Sequence, residues 1–411
     1  MQRAWWIVVA CGAGVLLLAT GVRMNFGIFQ KPIVSDLQIS YGLFGFGAGL
    51  AQFLFGVLSP VGGALATRFG VVRTCAAGGV IYVLSLILVA VSQDGGMLTL
   101  GNALAGAAIG IAGFSAVFGA VGQAAPPEKR TMALAITTAG GSLGQFSVVP
   151  FGHVMMELFG WRGAMLILAA LAALMIPLAF GLGRWAGNAP PATGAAPRQT
   201  TREAVAEAFG DRGFVLLTIG FFVCGFHVAF VSTHMPNYLI STNTGLDWFG
   251  KALTPASVGA LSVAVIGFFN IIGTLAAGVL GTRYQRKNVL ALNYLMRGAL
   301  FMFLMLAPPT GINVMIFSTL FGLLYLSTVP LTSGLVGYLF GPQHMGTLYG
   351  IAFFSHQIGG FLGAWGGGFL FDRTGGYDAM WWAAVALALF AAAIHWMILE
   401  RPVARLVARP A

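Results

Sequence analysis

The stretch GVRMNFGIF, Gly21–Phe29, decides how the chain is read. It closes an apolar run from about Ala4 to Phe29 whose one charge is Arg23. A charge deep in a bilayer costs about 2.5–3.5 kcal/mol on insertion scales, so it usually faces a bundle interior or a wet cavity. The competing reading is an arginine past the middle of its helix that snorkels to the outer surface. We follow the first reading, which makes Arg23 the first candidate to hold an anion, with the other helices arranged around it.

Composition supports a chain built in lipid. Of 411 residues, 58% are hydrophobic and only 8% are charged, against about 25% charged in a soluble domain. Mean hydropathy is +0.87. Long apolar runs recur, each near the roughly 20 residues that a helix needs to cross. They lack the steady alternation of an outer-membrane barrel. The predicted fold is an all-α polytopic bundle with spans at 4–30, 41–66, 72–92, 97–125, 131–157, 163–184, 213–241, 254–281, 288–307, 312–340, 345–371 and 379–399. Residues 185–212 differ in kind. They hold Pro190, Pro191 and Pro197 and a run, Arg202–Asp211, that reads as a short surface helix. The expected organisation is therefore a six-helix unit over 1–184, a linker over 185–212, a second unit over 213–400 and a tail over 401–411.

The net charge of +10 is explained by topology. Fifteen Lys and Arg residues fall on the side of the termini and linker. Lys31, Arg162, Lys251 and Arg373 fall on the other side, and Arg23 and Arg297 lie within spans. The bias places both termini in the cytoplasm of a cell inner (plasma) membrane and removes the need for a nucleic-acid partner. The lipid bilayer is the expected surround. Cys11, Cys75 and Cys224 have neither metal nor disulfide spacing and read as small core residues.

The two units repeat at an offset of 215 residues. GALATRF (Gly63–Phe69) aligns with GVLGTRY (Gly278–Tyr284). The same offset pairs Pro127 with Pro342, Gly144 with Gly359, Phe146 with Phe361, Gly152 with Gly367, and Gly160 with Gly375. Parallel repeats about an axis along the membrane normal put a site near the midplane between them.

On these residues the chain resembles the major facilitator superfamily. GGALATRFGVVR (Gly62–Arg73) is similar to that family's cytoplasmic loop 2–3 motif, with an echo at Gly278–Lys287. The resemblance implies a conformational role for Gly63, Arg68, Gly70, Arg73 and Arg283. The family's usual acid is Thr67 here, which weakens any charge latch. Two stretches, VRMNFGIFQKPI in span 1 and FHVAFVSTHMPNYL (Phe226–Leu239) in span 7, resemble the monocarboxylate transporter group and the related oxalate–formate exchangers. That narrower resemblance implies a small organic anion as substrate. It also implies that Arg23 stands where the group carries a lysine. The group's acid and arginine in span 8 are Asn270 and Thr274 here, and His356 falls where the exchangers use a basic residue. The superfamily resemblance assigns spans 3, 6, 9 and 12 to outer support, which favours a structural hub over a ligand as the reading of Arg297.

The residues themselves give further candidates. Arg23 would pair a carboxylate through its fork of donors, with Asn25 and Gln52 as polar neighbours. His227, His234 and Tyr238 share one face of span 7, at steps of seven and four. Tyr325, Thr328 and Thr332 share a face of span 10, and Ser355, His356 and Gln357 sit mid-span in span 11. Each set is either cavity lining or interhelical glue. None of the eleven acids falls mid-membrane, Glu157 coming closest. A proton relay would then have to use His227, His234 or His356; exchange or uniport of an anion are the alternatives. No Walker motif, nucleophile–base set or metal-ligand spacing is present, so we expect no enzyme, catalytic residue, cofactor or metal. Three functions compete: a monomeric carrier of monocarboxylate-like anions working by alternating access, an exporter of neutral or cationic drugs, and a membrane sensor that binds without transport.

Overall fold

The computed structural model describes residues 4–126, 129–183, 199–248, 250–341 and 344–407. The expected boundary at 184/185, the linker prolines, the pair Pro127/Pro342 and the last residues of the tail lie outside the described residues.

Helices make up nearly all of the described chain. The first ones are α1 (Ala4–Arg23), α2 (Phe26–Leu37), α3 (Tyr41–Phe69), α4 (Val71–Ala90), α5 (Gly95–Ala112), α6 (Phe114–Ala124), α7 (Arg130–Ala172) and α8 (Met175–Leu182). The short α9 (Thr201–Gly210) follows. Then come α10 (Arg212–Ser241), α11 (Pro255–Arg283), α12 (Arg286–Leu306), α13 (Gly311–Leu324), α14 (Thr328–Phe340), α15 (Met345–Thr374), α16 (Asp378–Trp396) and α17 (Ala404–Val407). An antiparallel hairpin, β1 (Leu246–Trp248) and β2 (Lys251–Leu253), joins α10 to α11.

Among the described residues, ten helical stretches are long and apolar enough to cross a membrane. One of them, Met132–Leu182, has 51 residues, far more than a bilayer needs. It turns back at Gly160, where φ is 67° and ψ 172°. The paired Gly375 ends α15 with φ 72°, so the two reversals fall at matched positions of the repeat. At 30 residues, α15 is also long enough to span.

Two apolar cores form. One gathers residues from Trp5 to Leu182 together with Ala260 and Val263 of α11, and the other gathers residues from Ala208 to Ile398. The repeated glycines do the same work in each. A Cβ on Gly144 would overlap the Leu17 carbonyl, and one on Gly359 would overlap the Phe222 carbonyl. A Cβ on Gly152 would meet Asn25, and one on Gly367 the ring of His234. Thus α7 lies on α1/α2 as α15 lies on α10, backbone against backbone, which is what small residues permit.

Several helix ends differ from the reading of the sequence. The first span continues through Pro32 to Leu37 and stops at Gln38, whose φ is 51°. It is also broken, as Met24 and Asn25 separate α1 from α2. Spans 4 and 10 are broken too, at Gly113 and at Tyr325–Ser327. The loop motif around Gly62–Arg73 is helical up to Phe69, and Gly70, with φ 90°, is the one residue between α3 and α4. The linker helix appears as α9, closed by a capping box between Thr200 and Glu203. Glu203 accepts from the Thr200 backbone, which lowers its pKa below the ordinary carboxylate range. The hairpin and α17 were not legible.

The two cores meet along α3 on α15 and α7 on α11. At the far end, where Leu37, Ser241 and Thr374 lie, the seam is sealed. At the near end, where Phe69, Arg283 and Trp396 lie, α6 and α14 share no extensive contact among the described residues, and the seam is parted there. There α6 packs chiefly on α1, α3 and α7, and α14 on α11 and α12. Gly119, Gly122, Gly278, Gly346 and Gly350 have nothing within 4 Å of a Cβ position.

Candidate functional site: a guanidinium beside three broken helices

Unwound backbone at membrane depth is tolerated only where protein buries it or where it lines a cavity. Three spans are unwound here, and Arg23 ends the first of them. Its Nη1 donates to Gln52 Oε1 at 2.8 Å, and its guanidinium carbon lies 5.8 Å from the centre of the Phe55 ring. Among the described residues no carboxylate pairs with it. Arg23, Gln52, Tyr82, Asn102, Ser232 and Thr233 line a cavity of about 40 Å³. That is room for a few water molecules, walled by both cores. Arg23 therefore points inward and does not snorkel. The phenols of Tyr325 and Tyr82 lie within electrostatic reach of its charge.

The other predicted residues divide into groups. Asn25 is fully buried at the first break. It donates to the Gly21 carbonyl at 2.8 Å and the Val148 carbonyl at 3.4 Å, tying the break to α7. Asn270 is engaged at both ends of its amide: Nδ2 donates to Ser142 Oγ at 2.9 Å, and Oδ1 accepts from the Leu326 N–H at 3.0 Å and from Thr274 Oγ1 at 3.2 Å. Tyr325 caps α13, and its hydroxyl donates to the Val228 carbonyl at 3.4 Å. Thr328 lies 3.1 Å from Cys224 Sγ. His356 packs between Phe221 and Phe353, with Nδ1 3.1 Å from Gln357 Oε1.

The expected polar face of span 7 splits. His227 turns away from the cavity, with Nε2 3.0 Å from the Ala384 carbonyl of α16 and its ring against Phe301. Tyr238 packs on Tyr377 and Trp381. His234 joins the two cores at the far end: Nε2 lies 2.7 Å from the Ala364 carbonyl and Nδ1 3.2 Å from Gln30 Nε2.

Arg297 is fully buried and lies outside the cavity lining. Its Nη2 donates to the carbonyls of Leu324 and Tyr325, and its Nη1 faces Cys224 Sγ at 3.5 Å. Those carbonyls lost their helical donors at the break, so the guanidinium replaces them. Asn293 Nδ2 adds a bond to Ser327 Oγ at 2.7 Å. Of the loop motif, Arg68 stacks on Phe69, and Thr67 bonds back to the Gly63 carbonyl of its own helix. Arg73 and Arg283 are exposed, and Gly63 approaches Ser115 of α6. In the second core the matching turn is tied by Glu400, which pairs with Arg286 at 3.1 Å and accepts the Lys287 N–H.

Residue chemistry alone did not single out Tyr82, Asn102, Ser232, Thr233 or Gln30. The repeat carried one signal, because Tyr82 is the 215-offset partner of Arg297. Gln30 was legible only as a polar residue one helical stretch beyond Arg23.

The sequence matches the model of the Major Facilitator Superfamily over residues 11–364 and again over 249–410. The chain belongs to the Major Facilitator Superfamily. It is 26% identical over 396 residues to the uncharacterized MFS-type transporter YcxA of Bacillus subtilis, covering 91% of this chain and 90% of that one. It is also 26% identical over 386 residues to Monocarboxylate transporter 11 of Mus musculus, with 91% and 83% covered. In fold it is similar to a bacterial homologue of the human lysosomal transporter Spinster in an inward-facing, unoccupied conformation (TM-score 0.74, 17% identity, 97% of each chain). It is equally similar to a D-xylose–proton symporter (TM-score 0.74, 16% identity, 97% and 99%). A Major Facilitator membrane transporter, rather than an enzyme, is thus the established class, and monocarboxylate transporters are among its relatives.

Proposed function

We propose that the chain is a secondary carrier of small organic anions of the monocarboxylate kind, working as a monomer by alternating access. The observation that carries this is the pairing of Arg23: a guanidinium inside the bundle whose one hydrogen-bond partner among the described residues is the neutral Gln52 amide. The cavity beside it holds no acid. A buried cation without a counter-ion is costly, and an incoming carboxylate would share the charge through two parallel N–H bonds. The lack of acid disfavours a cationic drug as cargo. The two units, 1–184 and 213–400, rock about the site in twelve crossings, with the near end and both termini in the cytoplasm of the plasma (inner) membrane. The parted near end then opens the site inward. Asn270, Tyr325 and Thr328 position span 10, α13 and α14, against the anion, and His356 is a second polar group on that side. The motif residues Gly63, Arg68, Gly70, Arg73 and Arg283 serve the near-end movement.

Uptake of labelled lactate or a similar short acid into proteoliposomes tests the reading. Arg23→Gln is expected to abolish it and Arg23→Lys to retain part. Unchanged uptake in Arg23→Gln would remove Arg23 from the site.

A further inference from the structure

The far-end seal contains a histidine with an unusual set of partners. His234 is fully buried. Its Nε2 faces the Ala364 carbonyl of α15 at 2.7 Å, and a carbonyl only accepts, so Nε2 carries hydrogen. Its Nδ1 faces two donors: Gln30 Nε2 from the first core at 3.2 Å, and the Tyr377 hydroxyl at 3.3 Å. Asn237 Nδ2 in turn donates to the Tyr377 oxygen at 2.8 Å. The ring is therefore neutral, with Nδ1 as the acceptor on which the two cores converge.

We propose that His234 is a proton site that governs the far-end seal: a proton taken up on Nδ1 releases Gln30 and opens that end. The Gln30 amide N–H would then point at a donor, while the Tyr377 hydroxyl can rotate to accept. Turning the Gln30 amide over would offer its oxygen, which has no partner in the seal. That satisfies the new N–H but not the charge. Desolvating an uncompensated cation costs several times what one neutral hydrogen bond returns. The groups around the ring cannot compensate it. From α2 the facing group is Gln30, from α15 the Ala364 carbonyl and Gly367, and before α16 the Tyr377 phenol. From α10 itself they are Phe230 and Asn237. The charged residues of these elements near this end, Lys31, Asp36, Asp372, Arg373 and Asp378, are all exposed. Asp36 pairs with Arg162, and Asp372 holds the start of α3. Once the seal parts, water solvates the cation. Protonation thus favours the far-end-open form.

The seal has a second histidine crossing that serves as a control. His153 Nε2 lies 3.1 Å from Ser257 Oγ of the other core, but 3.4 Å from Glu157 as well, so its charged form has a carboxylate. The inference concerns the seal and holds whichever solute the cavity takes.

Spin labels at Gln38→Cys and Thr374→Cys, both exposed at the far end on opposite cores, with Cys11→Ser in the full chain, give the distance across the seal. Between about pH 8 and about pH 5 the far-end-open population is expected to rise about tenfold. His234→Gln, which keeps a donor and an acceptor but does not titrate, should abolish the rise, and His153→Gln should preserve it. A distance that ignores pH overturns the proposal, as does a rise that survives in His234→Gln or disappears in His153→Gln. Arg23→Gln separates the two readings: it should stop anion flux and leave the pH response intact.

Discussion

Asp372, near the end of α15, caps the first turn of α3: its two carboxylate oxygens accept the backbone N–H groups of Tyr41 at 2.9 Å and Gly42 at 2.6 Å. Ser40 takes the next one, from Leu43, at 3.0 Å. A helix start contributed by one core is thus completed by an acid of the other, and the acid also faces the positive end of the α3 dipole. Asp372→Asn keeps an acceptor and removes the charge. A loss of about 1 kcal/mol, roughly a fivefold gain in far-end-open molecules, is expected. Distance measurements across the far end at constant pH check this.

The glycine pairs should respond alike. Gly144→Val and Gly359→Val each drive a branched side chain into a neighbouring helix carbonyl, at about 1–3 kcal/mol of overpacking. Gly119→Val meets open space at the near end and should leave the melting temperature of the detergent-solubilised protein unchanged. A large drop for Gly119→Val alone would reverse this account of the packing.

Arg297→Met leaves the Tyr325 carbonyl with a long thiol contact from Cys224 at 3.9 Å, while the Leu324 carbonyl keeps Ser327 Oγ at 3.0 Å and Asn293 Nδ2 at 3.4 Å. An unsatisfied buried acceptor costs about 1–3 kcal/mol, so the protein should melt earlier. Arg297→Lys should recover part of the loss, because an ammonium reaches one carbonyl but lacks the guanidinium fork. Thermal unfolding in detergent distinguishes the two variants.

Gln52→Glu puts a carboxylate where the amide oxygen now accepts from Arg23. The guanidinium then has an internal partner, and an external anion must displace it. Binding of a short carboxylate, read by thermal shift, should weaken about tenfold or more. Unaltered binding would mean that the anion is held elsewhere.

The spans, their twofold repeat and the inward position of Arg23 were all legible in the sequence, because lipid imposes one rule on every crossing residue and duplication wrote the pattern twice. The breaks in the first, fourth and tenth spans were not. Met24–Asn25 and Tyr325–Ser327 contain no proline, and their unwinding is settled by side chains from distant helices, such as Asn270 and Arg297. His227, His234 and Tyr238 show the same limit. Helical spacing placed them on one face, but that face is wide enough to meet α16 at one residue and α2 at another.

The fourth and tenth spans bend at nearly equivalent places, since the residue 215 positions after Gly113 is Thr328, which directly follows the break at Tyr325–Ser327, yet the two bends have different makeup. In the first core the interruption falls on a glycine, and the side-chain bond to the backbone there is a weak one, from the Cys75 thiol to the Ala112 carbonyl at 3.6 Å. In the second it is pinned by an arginine and two asparagines. Straightening should be facile in one unit and obstructed in the other, so a pivoting cycle would flex the amino-terminal bundle while the carboxy-terminal one moves as a block. Faster amide hydrogen exchange around Gly113 than around Tyr325 would be the signature of that unequal compliance.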